Sequence, residues 1–146
     1  MKRYLIFAAL SPLLGGFLLL FATTYTSGYW THTDLSELEK LFVVFAKTLQ
    51  YAYLFGILPA LMLAAVDDIV FHIKRIRPVV RMLIVGAIGF VAAELLYGSR
   101  GPDSGVVQFF LYGLVGFVPG AVCSWVAHEA IDKPATASPE PAVTGE

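Results

Sequence analysis

Two formal charges stand well inside long apolar runs, Lys47 and Glu94. An ionisable side chain at membrane depth is costly to keep there, and such groups often mark a proton or ion pathway. Lys47 lies six residues in from the outer end of its run, or roughly 9 Å at the helical rise. Glu94 lies three residues from the outer end of its own run, or roughly 5 Å. Opposite signs at similar depth allow the two to meet. The intramembrane charge pair Lys47 and Glu94 then reads either as a relay or as architecture. In the second case the pair orients two helices, or each side chain snorkels separately to the headgroups.

A second set of chemistry-bearing residues is arranged four apart. Asp68 with His72, and His128 with Asp132, each place a carboxylate and an imidazole on one helix face. Two such pairs have the donor types of a four-ligand metal site. Side chains of this kind at helix ends more often face water, so no metal and no cofactor are expected. A third set is basic: Lys74, Arg75, Arg77 and Arg81 follow one another within eight residues. Each such cation near an anionic headgroup is worth about 1 kcal/mol, so anionic-lipid contact is expected here. Gly-rich phosphate loops, nucleophile elbows and zinc-protease pairs are all absent from the chain. No enzymatic activity is expected. The single cysteine, Cys123, cannot form an intrachain disulfide.

These residues need helices to position them, and the composition says in what medium. The chain is 58% hydrophobic and 14% charged over 146 residues, with a mean hydropathy of +0.74. A soluble domain carries roughly 25% charged residues, so this chain has too little polar surface to cover a water-soluble globule. Its net charge of -1 gives no reason to expect a nucleic-acid partner.

Four apolar runs are long enough to cross a hydrocarbon layer of roughly 30 Å. They cover about residues 4–25, 41–66, 79–97 and 106–127, within a transmembrane domain over 1–132. The first could be a cleaved signal, but its apolar core exceeds the usual 7–15 residues and Ala22-Thr23-Thr24 is a poor cleavage site. A retained helix is expected. Pro12 and Gly15-Gly16 should kink or thin it. Tyr29 and Trp30 suit the headgroup level. Asp34-Leu35-Ser36-Glu37 fits a capping box, which starts the second helix near Leu35. Pro59 should bend that helix, and Pro78 suits the first position of the third. Gly98 to Gly105 has the composition of a turn, with Asp103 or Ser104 placed to cap the fourth span. Residues 133–146 offer nothing to bury and should be disordered.

Four spans put both termini and the central loop on one side. That side carries Lys2, Arg3, Lys74, Arg75, Arg77, Arg81 and Lys133, against Lys40 and Arg100 on the other. The positive-inside rule makes the rich side cytoplasmic. Helix packing should use small residues, since lipid supplies no hydrophobic drive between helices. Gly116, Gly120 and Ser124 line one face of the fourth span, and Gly86 and Gly89 offer a matching track on the third. The tracks serve either an intramolecular seam or a homodimer.

The block Ala64-Ala65-Val66-Asp67-Asp68-Ile69 through Arg81, followed by the glycine-bearing third span and the Gly98 to Gly105 turn, resembles an uncharacterised family of small bacterial four-span inner-membrane proteins. That resemblance brings no activity with it. The span count is also similar to that of small multidrug transporters, but those keep an essential glutamate in the first span and this chain has none there. The expectation is therefore an all-α, integral membrane four-helix bundle of the bacterial inner membrane. It would act as a non-catalytic structural or partner-binding subunit, in a homodimer or larger complex. The alternative is a small oligomeric transporter or channel using Lys47 and Glu94.

Overall fold

A computed structural model describes residues 1–28, 31, 34–73, 76–98 and 105–133. Among these residues the chain is all helix, in four long elements: α1 (Lys2–Thr26), α2 (Leu35–His72), α3 (Pro78–Ala93) and α4 (Val106–Ala127). Helix α3 continues as one wider π-helical turn over Glu94–Gly98, and α4 does the same over His128–Asp132. Each of the four is long and apolar enough to span a membrane, with mean hydropathies of 2.3, 2.0, 2.1 and 1.9 in chain order. Large apolar side chains face outward on all of them, including Leu5, Phe55, Leu83 and Phe110. Water-soluble monomers rarely expose apolar surface on that scale.

The helix starts follow local sequence. Pro78 occupies the first turn of α3, where its missing amide costs nothing. Helix α2 starts at Leu35 with Asp34 extended before it. The capping box does not form through side chains, however. The Asp34 side chain makes no cap hydrogen bond, and Glu37 instead takes Lys40 Nζ at 2.7 Å. Glu37 still donates its backbone amide to the Asp34 carbonyl at 2.9 Å. Helix α2 runs through Pro59, and α1 runs through Pro12. Tyr53 Oη donates to the carbonyl of Ala9 at 2.6 Å, in the turn that Pro12 loosens. That carbonyl is one residue beyond Ala8, the one that Pro12 leaves without its helical donor, so the bond ties α1 to α2 beside the proline.

Close backbone approach decides which helices touch. Helix α3 lies along α4, α1 lies between α2 and α4, and α2 meets α3 only sparsely. On the α3–α4 seam, Gly89 and Gly116 sit backbone to backbone. A Cβ on either would run into the carbonyl of the other. Nearby, a Cβ on Gly86 would meet the Phe117 ring at 2.9 Å, and one on Gly120 the Val85 carbonyl at 3.0 Å. The glycine tracks are therefore occupied within the chain, not held open for a second copy. A second seam joins α1 to α2. There a Cβ on Gly16 would meet Ala52 at 2.8 Å, and one on Gly56 would meet Pro12 at 3.2 Å. The largest buried apolar cluster, Phe7, Leu63, Ala64, Val85, Cys123 and Ala127, gathers toward one end of the bundle. That end holds the start of α1 and α3 and the close of α2 and α4.

Tyr29, Trp30, His32, Lys74, Arg75, the turn residues 99–104 with Arg100, Asp103 and Ser104, and the tail 134–146 lie outside the described residues.

Candidate functional site

The apolar cluster ends against a layer of charge. Arg3 on the first turn of α1 is 6% exposed and Arg81 on the first turn of α3 is 4% exposed. Asp67 near the end of α2 is fully buried, and Asp132 at the end of α4 is 8% exposed. One residue from each helix thus enters the same layer.

The contacts interlock. Arg3 reaches three carboxylates: Nε lies 3.3 Å from Asp67 Oδ2, Nη1 3.1 Å from Asp68 Oδ1, and Nη2 2.8 Å from Asp132 Oδ1. Arg81 reaches two, with Nε 3.2 Å from Asp67 Oδ1 and Nη1 3.0 Å from Asp132 Oδ2. Ser124 Oγ donates to Asp67 Oδ1 at 2.5 Å. Arg81 in turn donates to the Ser124 carbonyl and hydroxyl, each at 3.4 Å. The approach of Arg3 Nε to Asp67 Oδ2 is an ion pair without hydrogen-bond alignment. The Phe71 ring lies over both guanidiniums, 4.3 Å from Arg3 Cζ and 5.4 Å from Arg81 Cζ, within the range of cation–π attraction.

These signs oppose the helix dipoles. Bases sit at the N-termini of α1 and α3 and acids at the C-termini of α2 and α4, each the less favourable choice. Pairing across helices offsets that cost, since each charge meets opposite charge at about 3 Å. In the contacts just described, two guanidiniums meet three carboxylates. His128 Nδ1 stands 3.5 Å from Asp132 Oδ2 at the cluster's edge.

The chain belongs to a family. Residues 1–133 match the family of unknown function DUF5413. No curated protein and no solved structure matches it. The DUF5413 match takes in all four helices and every member of the ionic cluster.

Measured against this DUF5413 bundle, several expected sites move. Arg81, expected at the lipid headgroups, lies inside the ionic cluster. It is drawn inward by Asp67 and Asp132 and has almost no accessible surface. Arg77, just before α3, is exposed. Ser124 lies on the glycine-bearing side of α4 as expected, but its hydroxyl is a polar node instead of packing filler.

Lys47 and Glu94 are not brought together. Lys47 is exposed and forms no ion pair among the described residues, because the outer part of α2 lies on α1 while Glu94 follows α3, which lies on α4. The described contacts of α2 with α3, such as Asp67 with Arg81, lie toward the ionic end. Glu94 instead folds back over Gly98, the position where a Cβ would strike its carboxylate, and its Oε1 is buried without an aligned hydrogen bond among the described residues, with the Gly113 backbone amide nearby.

The two carboxylate–imidazole pairs do not converge on a metal site either. His72 Nδ1 lies 2.7 Å from the Asp68 carbonyl on its own helix. Asp68 and Asp132 are engaged by guanidiniums. No group of three or more metal-type ligands exists among the described residues.

Asp67 and Asp132 carry the cluster; the four-residue spacing singles out Asp132, as the partner of His128, but not Asp67. The available signal was coarser: an acid or base within a turn of the same end of every span.

Proposed function

We propose that this protein is a non-catalytic integral membrane subunit whose bundle is locked at its cytoplasmic end and which binds a partner span through α2. The bacterial inner membrane is its proposed location, with both termini in the cytoplasm. The observation that carries the reading is the engagement of Arg3, Asp67, Arg81 and Asp132 with one another. Charge in this bundle holds helices together instead of facing a pathway. Among the exposed apolar faces, the one on α2 is the longest with a single neighbour. Tyr51, Leu54, Phe55, Leu58 and Met62 recur at helical spacing on α2, each at least 55% exposed, and along this stretch α2 has only α1 beside it to any extent.

The test is photocrosslinking in native membranes from position 55, with position 88 on α3 as the comparison. The expected result is one discrete protein adduct from position 55, reproduced from position 58 and absent from position 88. Adducts to lipid alone would overturn the partner-binding reading.

A second reading, a small oligomeric transporter, draws on Glu94, whose Oε1 is buried without an aligned hydrogen bond among the described residues inside a π-helical turn. Such turns occur often at functional sites. Substrate flux in proteoliposomes that disappears with Glu94→Gln would favour it over the subunit reading.

A further inference from the structure

The outer half of α2 shows polar side chains on the side away from the bundle. Phe45, Ala52 and Gly56 face α1, through the Phe17 ring at 5.7 Å, Gly16 and Pro12. At 100° per residue, Lys47, Tyr51, Leu54, Leu58 and Leu61 lie on the opposite side of the helix. Their spacing alternates four and three residues. That is the seam along which two helices pack at a small left-handed crossing angle. Tyr51 is 55% exposed, Leu54 and Leu58 67% each, and Leu61 38%. Gln50, beside this seam, is exposed too.

We propose that the span received by α2 belongs to a different membrane protein and carries a carboxylate at the depth of Lys47, with a hydrogen-bonding group one turn deeper for Gln50. The inference rests on the partner-binding reading of α2 and adds to it the chemistry of the partner.

The polar groups select this occupant. Neither Lys47 nor Gln50 makes a side-chain hydrogen bond or ion pair among the described residues. Thr48 between them is satisfied by the Val44 carbonyl at 2.9 Å. Lys47 could reach outward to headgroups along its stem. Gln50 could not: it lies nine residues below Leu41, roughly 14 Å into the apolar run, and its side chain is short. A carboxamide facing hydrocarbon without a partner is costly, and a neighbouring helix is the usual remedy. The other acids on this half of the chain do not meet Lys47. Asp34, Glu37 and Glu39 stand at least eight residues further out on α2, and Glu37 is taken by Lys40. Glu94 folds over Gly98 on the extension of α3. A second copy on the same seam is disfavoured as well. A two-fold axis along the membrane normal pairs each residue with its own image at one depth, so Lys47 would face Lys47.

A defined probe tests the charge. The full chain, with a photoactivatable phenylalanine at position 55, is reconstituted in phosphatidylcholine vesicles with a leucine–alanine host helix of roughly 22 residues. The host carries glutamate six residues in from each end, so that either orientation presents one at the depth of Lys47. Matched hosts carry leucine or lysine there. The glutamate host should give about five-fold more adduct than the leucine host, the equivalent of about 1 kcal/mol, and the lysine host no more than the leucine host. Lys47→Met should bring the glutamate host down to the leucine level, while Lys47→Arg should keep the preference. Equal yields from the glutamate and leucine hosts, as for a lysine held by lipid phosphates, or a preference that survives Lys47→Met, would overturn the inference. In native membranes the adduct from position 55 should fall by a similar factor in Lys47→Met. An adduct unchanged by that substitution would overturn the carboxylate while leaving the partner reading of α2 intact. Adducts to lipid alone would overturn both.

Discussion

Removing Arg81 and removing the charge of Asp67 should have unequal costs, and the inequality follows from the charge count. Arg81 contacts Asp67 at 3.2 Å and Asp132 at 3.0 Å. At an effective dielectric of about 20, each contact is a gross attraction of roughly 5 kcal/mol. Most of that offsets the desolvation of the buried ions. Breaking a buried pair by deleting one partner commonly costs a net 3–5 kcal/mol. Arg81→Met leaves Arg3 alone against three carboxylates, so its cost should lie at about that level. Asp67→Asn leaves two guanidiniums against two carboxylates. The amide oxygen can still accept from Ser124, so the loss should be smaller, about 1–3 kcal/mol.

Reversible unfolding in detergent, followed by helical circular dichroism, measures both. Acid supplies a second readout with a definite sign. In Arg81→Met the folded state holds unmatched carboxylates and takes up a proton more readily than the unfolded chain. Its stability should therefore rise as pH falls from 7 toward 5, and the gap to the wild type should narrow. An Arg81→Met variant within about 0.5 kcal/mol of wild type, the range of ordinary surface changes, would refute the reasoning. So would an Asp67→Asn variant that is the less stable of the two, or a gap that widens in acid.

Gly89→Ala should destabilise by roughly 1–3 kcal/mol, because its Cβ meets the Gly116 carbonyl and neither backbone can yield cheaply. Gly15→Ala is the matched control. Its Cβ would meet Val115 O at 3.7 Å and Pro119 Cγ at 3.8 Å, so it should be neutral or gain up to about 1 kcal/mol of helix propensity; equal effects of the two in thermal unfolding would mean that the α3–α4 seam is not close-packed. Lys47→Met should leave stability within about 0.5 kcal/mol of wild type, and a Lys47→Met/Glu94→Gln cycle should show coupling near zero. A measured coupling above about 1 kcal/mol would restore the pair. On a Cys123→Ser background, Arg77→Cys should react with a membrane-impermeant maleimide only after the cytoplasmic side is opened; labelling of intact cells would invert the proposed topology.

The fold was legible because it depends on coarse properties. Four apolar runs correspond to four helices long and apolar enough to span a membrane, and Pro78 opens α3. Those features are local, or act between helices adjacent in the chain. The α1–α2 seam was less visible because only Gly16 and Gly56 mark it, and Pro12, read as a kink, turns out to pack against Gly56. The charge pairing was misread for a physical reason. Depth along each span can be counted from sequence, but which helices stand side by side at that depth cannot. Lys47 and Glu94 matched in depth and sign yet sit on helices with little contact. In the sequence Arg3 counts only toward orientation, and Arg81 toward orientation and lipid contact, because a basic residue at a span end usually serves those roles. Only the arrangement of all four helices shows that Asp67 and Asp132 face them.

In the proposed topology, Arg3 and Arg81 are claimed by two roles that conflict, orienting the chain in the membrane and neutralising buried acids. The conflict disappears once the two are separated in time. Orientation is set as spans enter the bilayer, when each helix stands alone and its flanking bases act unpaired. Association follows, when helices already in place pack against each other. During insertion Asp67, Asp68 and Asp132 weigh little, since acids contribute weakly to the rule. After association they take up the same arginines at about 3 Å. The bases at the N-termini of α1 and α3 are what orientation asks for, at some cost to the helix dipoles. The acids at the ends of α2 and α4 offset that cost within the folded bundle. A double exchange that swaps signs, Arg81→Asp with Asp67→Arg, separates the roles. It keeps opposite charges between positions 67 and 81, but sets a base at 67 against Arg3 and an acid at 81 against Asp132, while weakening the basic loop at its α3 end. Stability should recover in part relative to either single change, while any shift in orientation would fall on the loop charge. A double exchange as unstable as Arg81→Asp by itself would mean that the contacts with Arg3 and Asp132 outweigh the pair between α2 and α3 in holding the four helices together.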